Sequence, residues 1–120
     1  MSRKVSENFW RHEFACQCGC GFATVDVELP QLCEDVREFD GGNPKTPNSG
    51  CRCKHRNSQT PGAAPNSLHT EGRAADLPCD SPEIVFDKLC EKYPDRYGFI
   101  LYHDRVHVDT RETPYRERKI

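Results

Sequence analysis

Two stretches of the chain place apolar residues at the spacing of an α-helix. The first covers residues 27–39, begins after a cap-type residue, Asp26, and ends before Gly41 and Gly42. The second covers residues 81–93 and opens with Ser81, Pro82 and an acidic residue, a common helix start. The apolar positions of the two predicted helices are Leu29, Leu32, Cys33, Val36 and Phe39, and then Ile84, Val85, Leu89 and Tyr93.

Residues 105–111 (RVHVDTR) alternate strictly between apolar and polar side chains, which is typical of a half-buried strand. Val106 and Val108 then face one side of a sheet. Arg105, His107 and Asp109 face the other, because successive side chains in a strand point in opposite directions. This strand therefore presents a polar face that carries a histidine and an aspartate.

Other short segments complete the predicted sheet. Residues 98–102 (GFILY) are continuously apolar, and a turn at His103-Asp104 joins them to the alternating strand. Residues 73–77 also read as a strand, and residues 45–52 are a further, weaker candidate. Helices and strands do not follow a βαβ rhythm, so the prediction is an α+β fold with two main helices and a small antiparallel sheet.

Length and composition limit the classes of protein that fit. The 120 residues predict one domain. Its N-terminal segment at 1–22 is cysteine-rich, and from residue 8 the glycines and cysteines predict a knuckle or loop. A basic tail at 112–120 is interpreted as a solvated strand or a frayed end. Mean hydropathy is −0.84, and no stretch approaches the roughly 20 apolar residues of a transmembrane helix. The net charge of −2 gives no basic excess for nucleic-acid binding. We expect a monomer that binds neither membrane nor nucleic acid. The start MSRKVSENFWRHEFAC lacks the apolar core of a signal peptide, so cytosolic synthesis is expected.

Eight cysteines are many for a chain made in a reducing compartment. Cys16, Cys18 and Cys20 form one cluster, and Cys51 and Cys53 form another. A second, structural metal, disulfides between the clusters and free thiols all remain open. Cys33 and Cys90 fall at core-facing or near-core helix positions and are most simply small apolar residues, while Cys79 has no evident role.

Three scattered polar residues could meet around one metal ion. His69 and Asp76 are seven residues apart, and His107 follows on the polar face of the alternating strand. Two imidazoles and one carboxylate are a common catalytic zinc set that leaves a fourth position open. Asp104, at the turn before His107, could then serve as general base. Each residue alone also has an ordinary reading as a surface or hydrogen-bonded side chain.

The spacing of these residues resembles a known family. Residues 66–76 (NSLHTEGRAAD) read as Ser-x-His-x-x-Gly-x-Ala-x-Asp, and DRVHVD resembles an Asp/Glu-x-x-His motif. Both motifs are similar to those of the zinc D-alanyl-D-alanine carboxypeptidases and their hedgehog-fold relatives. The segments NFWRHEFACQCGCG and NSGCR resemble a small branch of this family common in phages and prophages. The resemblance extends over residues 8–111.

The resemblance assigns roles to individual residues. It implies a hedgehog-like fold with zinc bound by His69, Asp76 and His107, and with Asp104 as catalytic base. By the same resemblance Arg52 would hold a substrate carboxylate or the oxyanion. His103 would support the tetrahedral intermediate, with Tyr102 as the competing position. Two further positions are Gly72, which would let the loop turn between the first two ligands, and Ser67, which would orient a ligand. Asp109 would either orient His107 or form a salt bridge with an arginine.

The activity implied is zinc-dependent hydrolysis of peptide bonds in peptidoglycan stem peptides. The family contains carboxypeptidases that remove a terminal D-alanine and endopeptidases that cut between L-alanine and D-glutamate. Arg52 could clamp a terminal carboxylate, which favours the D-Ala-D-Ala carboxypeptidase. Two alternatives from other classes are a non-catalytic module that retains the pocket and a cysteine-rich zinc module that binds nucleic acid. The net charge of −2 argues against the second.

Overall fold

The computed structural model describes residues 3–15, 25–47 and 72–119. Two helices, α1 (Leu29–Phe39) and α2 (Pro82–Lys92), lie close to the predicted positions. A short hairpin of β1 (Lys4–Ser6) and β2 (Phe9–Trp10) precedes them and leads into a 3-10 turn at Arg11–Phe14. The α+β prediction with two main helices is confirmed for the described residues.

A four-stranded sheet carries the polar residues singled out above. Its strands are β3 (Ala74–Pro78), β4 (Gly98–Leu101), β5 (Arg105–Asp109) and β6 (Tyr115–Arg118). They are arranged in the order β3-β5-β4-β6, so β5 lies between β3 and β4. This arrangement makes β5 a central strand with neighbours on both edges.

The core lies between one face of the sheet and the two helices. Every second residue of β5, Val106 and Val108, is fully buried there. The sheet also contributes Ala75, Leu77, Phe99 and Leu101, and the helices contribute Leu29, Leu32, Cys33, Val36, Val85, Phe86 and Leu89. The hydrophobic effect thus fixes which face of each strand turns inward, and the period of two sends the intervening polar residues to the other face.

The sheet is mixed, which corrects the prediction of an antiparallel one. β5 pairs antiparallel with both β3 and β4, but β6 runs parallel to β4. Arg116 holds β6 in place by donating hydrogen bonds to the carbonyl oxygens of Tyr93 (2.5 Å) and Tyr97 (2.6 Å). Residues 115–118 of the basic tail are therefore an edge strand, the first of the two forms expected for the tail. The charge of the tail did not indicate that it would pair with β4.

Two loop predictions also change. The segment from residue 8 was expected to be a knuckle or loop, yet Phe9 and Phe14 are fully buried and the chain around them forms β2 and the 3-10 turn. In the weak strand candidate at 45–52, the described residues 45–47 are loop. The rest of both predictions, residues 16–22 and 48–52, lies outside the described residues.

The helix starts and faces differ in detail from the sequence pattern. Asp26 is two residues before the N-cap, Glu28, and its carboxylate accepts the Glu28 N–H at 2.9 Å. Pro30 lacks an N–H group and fits only the first turn, so α1 begins at Leu29. In α2, Ile84 was predicted to face the core but is 53% exposed. Phe86, which was not among the predicted apolar positions, is buried in the core instead.

The described helices have 11 residues each, and neither is long and apolar enough to cross a bilayer.

Candidate metal site

Asp76 and His107 are brought together by the register of the sheet. They are direct partners in the β3–β5 ladder, and paired residues of adjacent strands project to the same face. The Asp76 Oδ1 atom lies 2.9 Å from His107 Nδ1. Both side chains are on the face opposite the core, and both are largely enclosed, with 18% and 11% exposure. The polar face predicted for β5 is thus present and has an acidic partner from β3.

These two donor atoms suit a single zinc ion. Zinc binds imidazole nitrogen and carboxylate oxygen at about 2.0–2.2 Å, so donors 2.9 Å apart can both reach one ion. Within the described ranges no three His, Cys, Asp or Glu side chains form a metal-binding group. The third predicted ligand, His69, lies outside those ranges. Asp76 and His107 therefore fit two of the three ligand positions by distance and chemistry.

His107 lies between two carboxylates. Its Nδ1 atom faces Asp76, and its Nε2 atom is 2.8 Å from Asp109 Oδ2. Burial by itself would lower the pKa of His107, but the hydrogen bonds to Asp109 and Asp76 outweigh it and raise the pKa to about 9. Only the neutral ring can bind a metal, so a cation at Nδ1 would replace the proton directed at Asp76.

Asp109 is fully buried and has an arginine as its second partner. Arg111 donates from Nε to Asp109 Oδ1 (2.8 Å) and from Nη2 to Oδ2 (2.7 Å), a bidentate pair. Burial opposes ionisation of Asp109, but the hydrogen bonds from His107 and Arg111 hold its pKa well below its usual range. Asp109 thus contacts both His107 and an arginine, the two partners that the alternatives predicted for it.

Gly98 makes room for this carboxylate. It is the β4 residue opposite Asp109 in the ladder. A Cβ atom built on Gly98 would overlap both Asp109 oxygens and lie 2.6 Å from Arg111 Nε. Real Cβ contacts are not that short, so the buried ion pair requires glycine at this position.

The predicted catalytic base, Asp104, lies at the tip of the β4–β5 hairpin. The turn residues are His103 and Asp104, as predicted, because Tyr102 N–H donates to the Arg105 carbonyl oxygen at 3.0 Å across the turn. The Asp104 side chain is 74% exposed and its Oδ1 accepts a hydrogen bond from Arg105 Nη1 at 2.9 Å. Asp104 is thus three residues from His107 on the same hairpin, with its carboxylate held by a neighbouring cation.

His103 and Tyr102 differ in their surroundings. His103 is exposed and lines a cavity of about 330 Å³ together with Tyr102 and the first residues of α2. The Tyr102 ring is half-buried, with the Arg105 guanidinium 4.0 Å and the Lys119 ammonium 5.7 Å from its centre. The exposed imidazole is therefore the more accessible of the two to a bound peptide.

Several predicted residues lie outside the described residues: His69, Arg52, Ser67 and the cysteines at 16, 18, 20, 51 and 53. Gly72 is described and has a φ of 68°, the left-handed conformation expected for a turn glycine. It lies two residues before β3, the strand that carries Asp76.

The described cysteines are poor metal ligands. Burial and the adjacent acidic residues raise the pKa of Cys33 far above its usual value, and burial raises the pKa of Cys79 to about 11. Burial also raises the pKa of Cys90. Because their pKa values are raised, these three thiols stay protonated at neutral pH. A thiol must lose its proton to bind zinc, so they are unsuited to that role. Cys33 and Cys90 pack in or against the core, as predicted.

Sequence reasoning missed Arg111 and Gly98 as parts of this site. Arg111 carried a usable signal, because it follows Asp109 by two residues and therefore shares its strand face. Gly98 carried none, since its importance depends on the ladder partner that the fold gives it.

Comparison with known proteins adds one match. A family model described as Peptidase M15 matches residues 7–109, a range that includes His69, Asp76, Asp104 and His107. Comparison with curated proteins gave no match, and comparison with solved structures gave none.

Proposed function

The chain belongs to the Peptidase M15 family, and from that premise we propose that it is a zinc-dependent peptidase that hydrolyses peptide bonds in peptidoglycan stem peptides. One observation supports the proposal most strongly. Asp76 and His107, which are 31 residues apart in sequence, pair in the sheet with a carboxylate oxygen and an imidazole nitrogen 2.9 Å apart. A carboxylate oxygen and an imidazole nitrogen at that distance can both bind one zinc ion.

We assign the third ligand position to His69. It lies seven residues before Asp76, and Gly72 lies between the two in sequence. A bound zinc ion would supply a Lewis acid for the scissile carbonyl and lower the pKa of a water molecule at its open position. Two neutral imidazoles and one carboxylate leave such a centre with a net positive charge, which suits both tasks.

Asp104 is proposed as the general base. Its exposed position at the hairpin tip leaves it accessible to solvent, and the Arg105 guanidinium at 2.9 Å limits the directions its carboxylate can take. It would take a proton from the attacking water and return it to the leaving amine, so that the elements of water add across the peptide bond. Arg52 and His103 are proposed to stabilise the negative charge that develops on the carbonyl oxygen.

The bond we propose is the terminal D-Ala-D-Ala bond. A substrate that ends in a free carboxylate needs a cationic partner, and a guanidinium can bind a carboxylate through two hydrogen bonds. Arg52, which lies within the range matched by the family model, could supply that group. An endopeptidase would instead bind a chain that continues at that point and has no terminal carboxylate there. A loss of the carboxypeptidase product on changing Arg52 is therefore expected.

The proposal is tested by mass spectrometry of purified muropeptides after incubation with the zinc-loaded protein. A carboxypeptidase removes one alanine from pentapeptide stems, whereas an endopeptidase that cuts between L-alanine and D-glutamate releases the rest of the stem. Either product should disappear when a chelator is present and return with added zinc. An unchanged muropeptide profile under saturating zinc would contradict the proposed peptidase activity.

Asp104→Asn separates catalysis from binding. We expect the variant to retain zinc and to lose activity by about 100-fold or more, since general base catalysis contributes 10²–10⁴-fold. Asp95→Asn is the matched control, because Asp95 is an exposed aspartate in the turn after α2. Full biological activity of the Asp104 variant would favour the non-catalytic module instead.

A further inference from the structure

The described part of the site contains a buried carboxylate that none of the proposed reaction steps uses. Asp109 has 0% exposure, faces His107 Nε2 at 2.8 Å, and lies on the side of the ring away from Asp76. A buried carboxylate carries a large desolvation cost unless charged partners satisfy it. The partners of Asp109 are His107, the candidate metal ligand, and Arg111, so the ion pair lies in contact with the His107 ring.

Arg111 controls how Asp109 can interact with that ring. It donates through two side-chain nitrogens and its own backbone N–H, at 2.8, 2.7 and 3.2 Å. The bidentate pair fixes the plane of the carboxylate. A carboxylate fixed in this plane keeps its Oδ2 atom directed at His107 Nε2, 2.8 Å away.

The backbone is also arranged for this contact. Gly98 on β4 and Ala74 on β3 are the two ladder partners of Asp109, so the neighbouring positions on both strands hold the smallest side chains. A Cβ on Gly98 would overlap the carboxylate. The small residues on each side leave space for the Asp109–Arg111 ion pair next to His107.

Resting on the proposed function, we propose that Asp109, fixed by Arg111, is a positioning residue that keeps the proton of His107 on Nε2 and its Nδ1 lone pair directed at the metal site beside Asp76. A metal-binding histidine needs one nitrogen deprotonated, and the partner of the other nitrogen selects which one. Arg111 acts through Asp109 and lies beyond the range matched by the family model.

Two readouts test this role apart from turnover. Zinc affinity is measured by competition with a chromophoric chelator, and the tautomer of His107 is read from its ring ¹⁵N chemical shifts in the zinc-loaded protein. We expect Asp109→Asn and Arg111→Gln to weaken zinc binding by about 10–100-fold, the usual effect of losing such a partner. We also expect the Nε2 shift of His107 to move toward a weaker hydrogen bond in Asp109→Asn, where an amide oxygen replaces the carboxylate, and to change in Arg111→Gln, where the carboxylate loses its fixed plane.

Arg116→Gln is the matched control. Arg116 also donates several hydrogen bonds and stacks on Phe99, 4.6 Å from the ring centre, but its contacts are with backbone carbonyls of Tyr93, Arg96 and Tyr97. It should lose stability as a structural arginine does, with zinc affinity within about twofold of the native protein. Arg111→Lys keeps the charge without the fork, and we expect it to recover part of the affinity lost in Arg111→Gln.

The outcomes separate this inference from the proposed function. If His107→Ala and Asp76→Asn bind zinc as tightly as the native protein, the proposed function fails. If those two variants lose zinc while Asp109→Asn and Arg111→Gln bind it as tightly as the native protein, with an unchanged His107 tautomer, the positioning role alone is overturned. Should Asp109→Asn fail to fold, Arg111→Gln decides, because its side chain is 31% exposed and its loss leaves the backbone intact.

Discussion

Gly98 and Asp109 are adjacent in the β4–β5 ladder, and the ion pair at the site depends on the missing side chain of the glycine. Gly98→Ala should destabilise the fold by about 1–3 kcal/mol, the usual cost of overpacking a closed site. Because the new methyl group would displace the Asp109 carboxylate from His107, zinc affinity should fall as well. Urea unfolding and chelator competition measure the two effects.

Gly41→Ala is the control for that substitution. Gly41 follows α1 with a φ of 79°, so alanine there also strains the backbone, but its nearest side-chain neighbour is Asn43 at 3.8 Å, away from the sheet. It should lower the free energy of unfolding without changing zinc affinity. Native stability and native zinc affinity in Gly98→Ala would show that the carboxylate can shift without consequence.

Asp40 joins the end of α1 to the start of α2 through hydrogen bonds. Its carboxylate accepts hydrogen bonds from the backbone N–H groups of Asp80 (3.0 Å) and Ser81 (2.9 Å) and from the Lys45 ammonium. Burial by itself would raise the pKa of Asp40, but these hydrogen bonds lower it. The charged carboxylate thus satisfies donors at the helix start, where the dipole also favours negative charge.

Asp40→Asn should cost about 1–3 kcal/mol at neutral pH, because one amide oxygen replaces a charged acceptor of several hydrogen bonds. A depressed pKa contributes stability that is present above the unfolded value of about 3.9 and is lost as pH falls below it. The variant should therefore show a flatter acid limb than the native protein in urea unfolding between pH 7 and pH 3. Asp95→Asn should match the native curve, and a native acid limb in Asp40→Asn would contradict this account.

The sequence predicted those elements whose apolar and polar residues follow a regular local spacing. The alternation of β5 assigned Val106 and Val108 to the core and His107 to the polar face, because period-two burial leaves a local trace. The α1–α2 junction at Asp40 and the parallel edge strand β6 left no such trace. A buried carboxylate looks like a surface aspartate in sequence, and parallel pairing is set by partners 17 residues apart, as for Gly98 and Tyr115.

The same limit applies to the site. The motif spacing singled out Asp76 and His107, and the structure makes them ladder partners. The residues around Asp109, on the other side of His107, were harder to predict. Arg111 and Gly98 matter because they contact Asp109, and that contact depends on how the strands pair. A sequence motif therefore identifies candidate ligands more readily than it identifies what orients them.

The four-stranded sheet has the hydrophobic core on one face and the candidate metal site on the other. The helices cover one face, and the other carries Asp76 and His107, so a metal bound there would link β3 to β5 without entering the core. A ligand that binds only the folded state stabilises it, by about 2.7 kcal/mol at a concentration 100 times Kd. For a domain of this size the midpoint of thermal unfolding should then rise on the order of 10 °C.

Asp76→Asn should abolish most of that zinc-dependent rise, because it removes one ligand while retaining the shape of the side chain. Asp80→Asn is the control: Asp80 is an exposed aspartate four residues further along, whose carboxylate accepts a hydrogen bond from Asn43 at 3.2 Å. Thermal unfolding of all three proteins with zinc and with a chelator gives the comparison. A full rise retained in Asp76→Asn would mean that zinc stabilises the protein elsewhere, with the cysteine clusters at 16–20 and 51–53 as the first positions to examine. A rise lost in Asp76→Asn and kept in Asp80→Asn would assign the stabilising metal to the β3–β5 ladder.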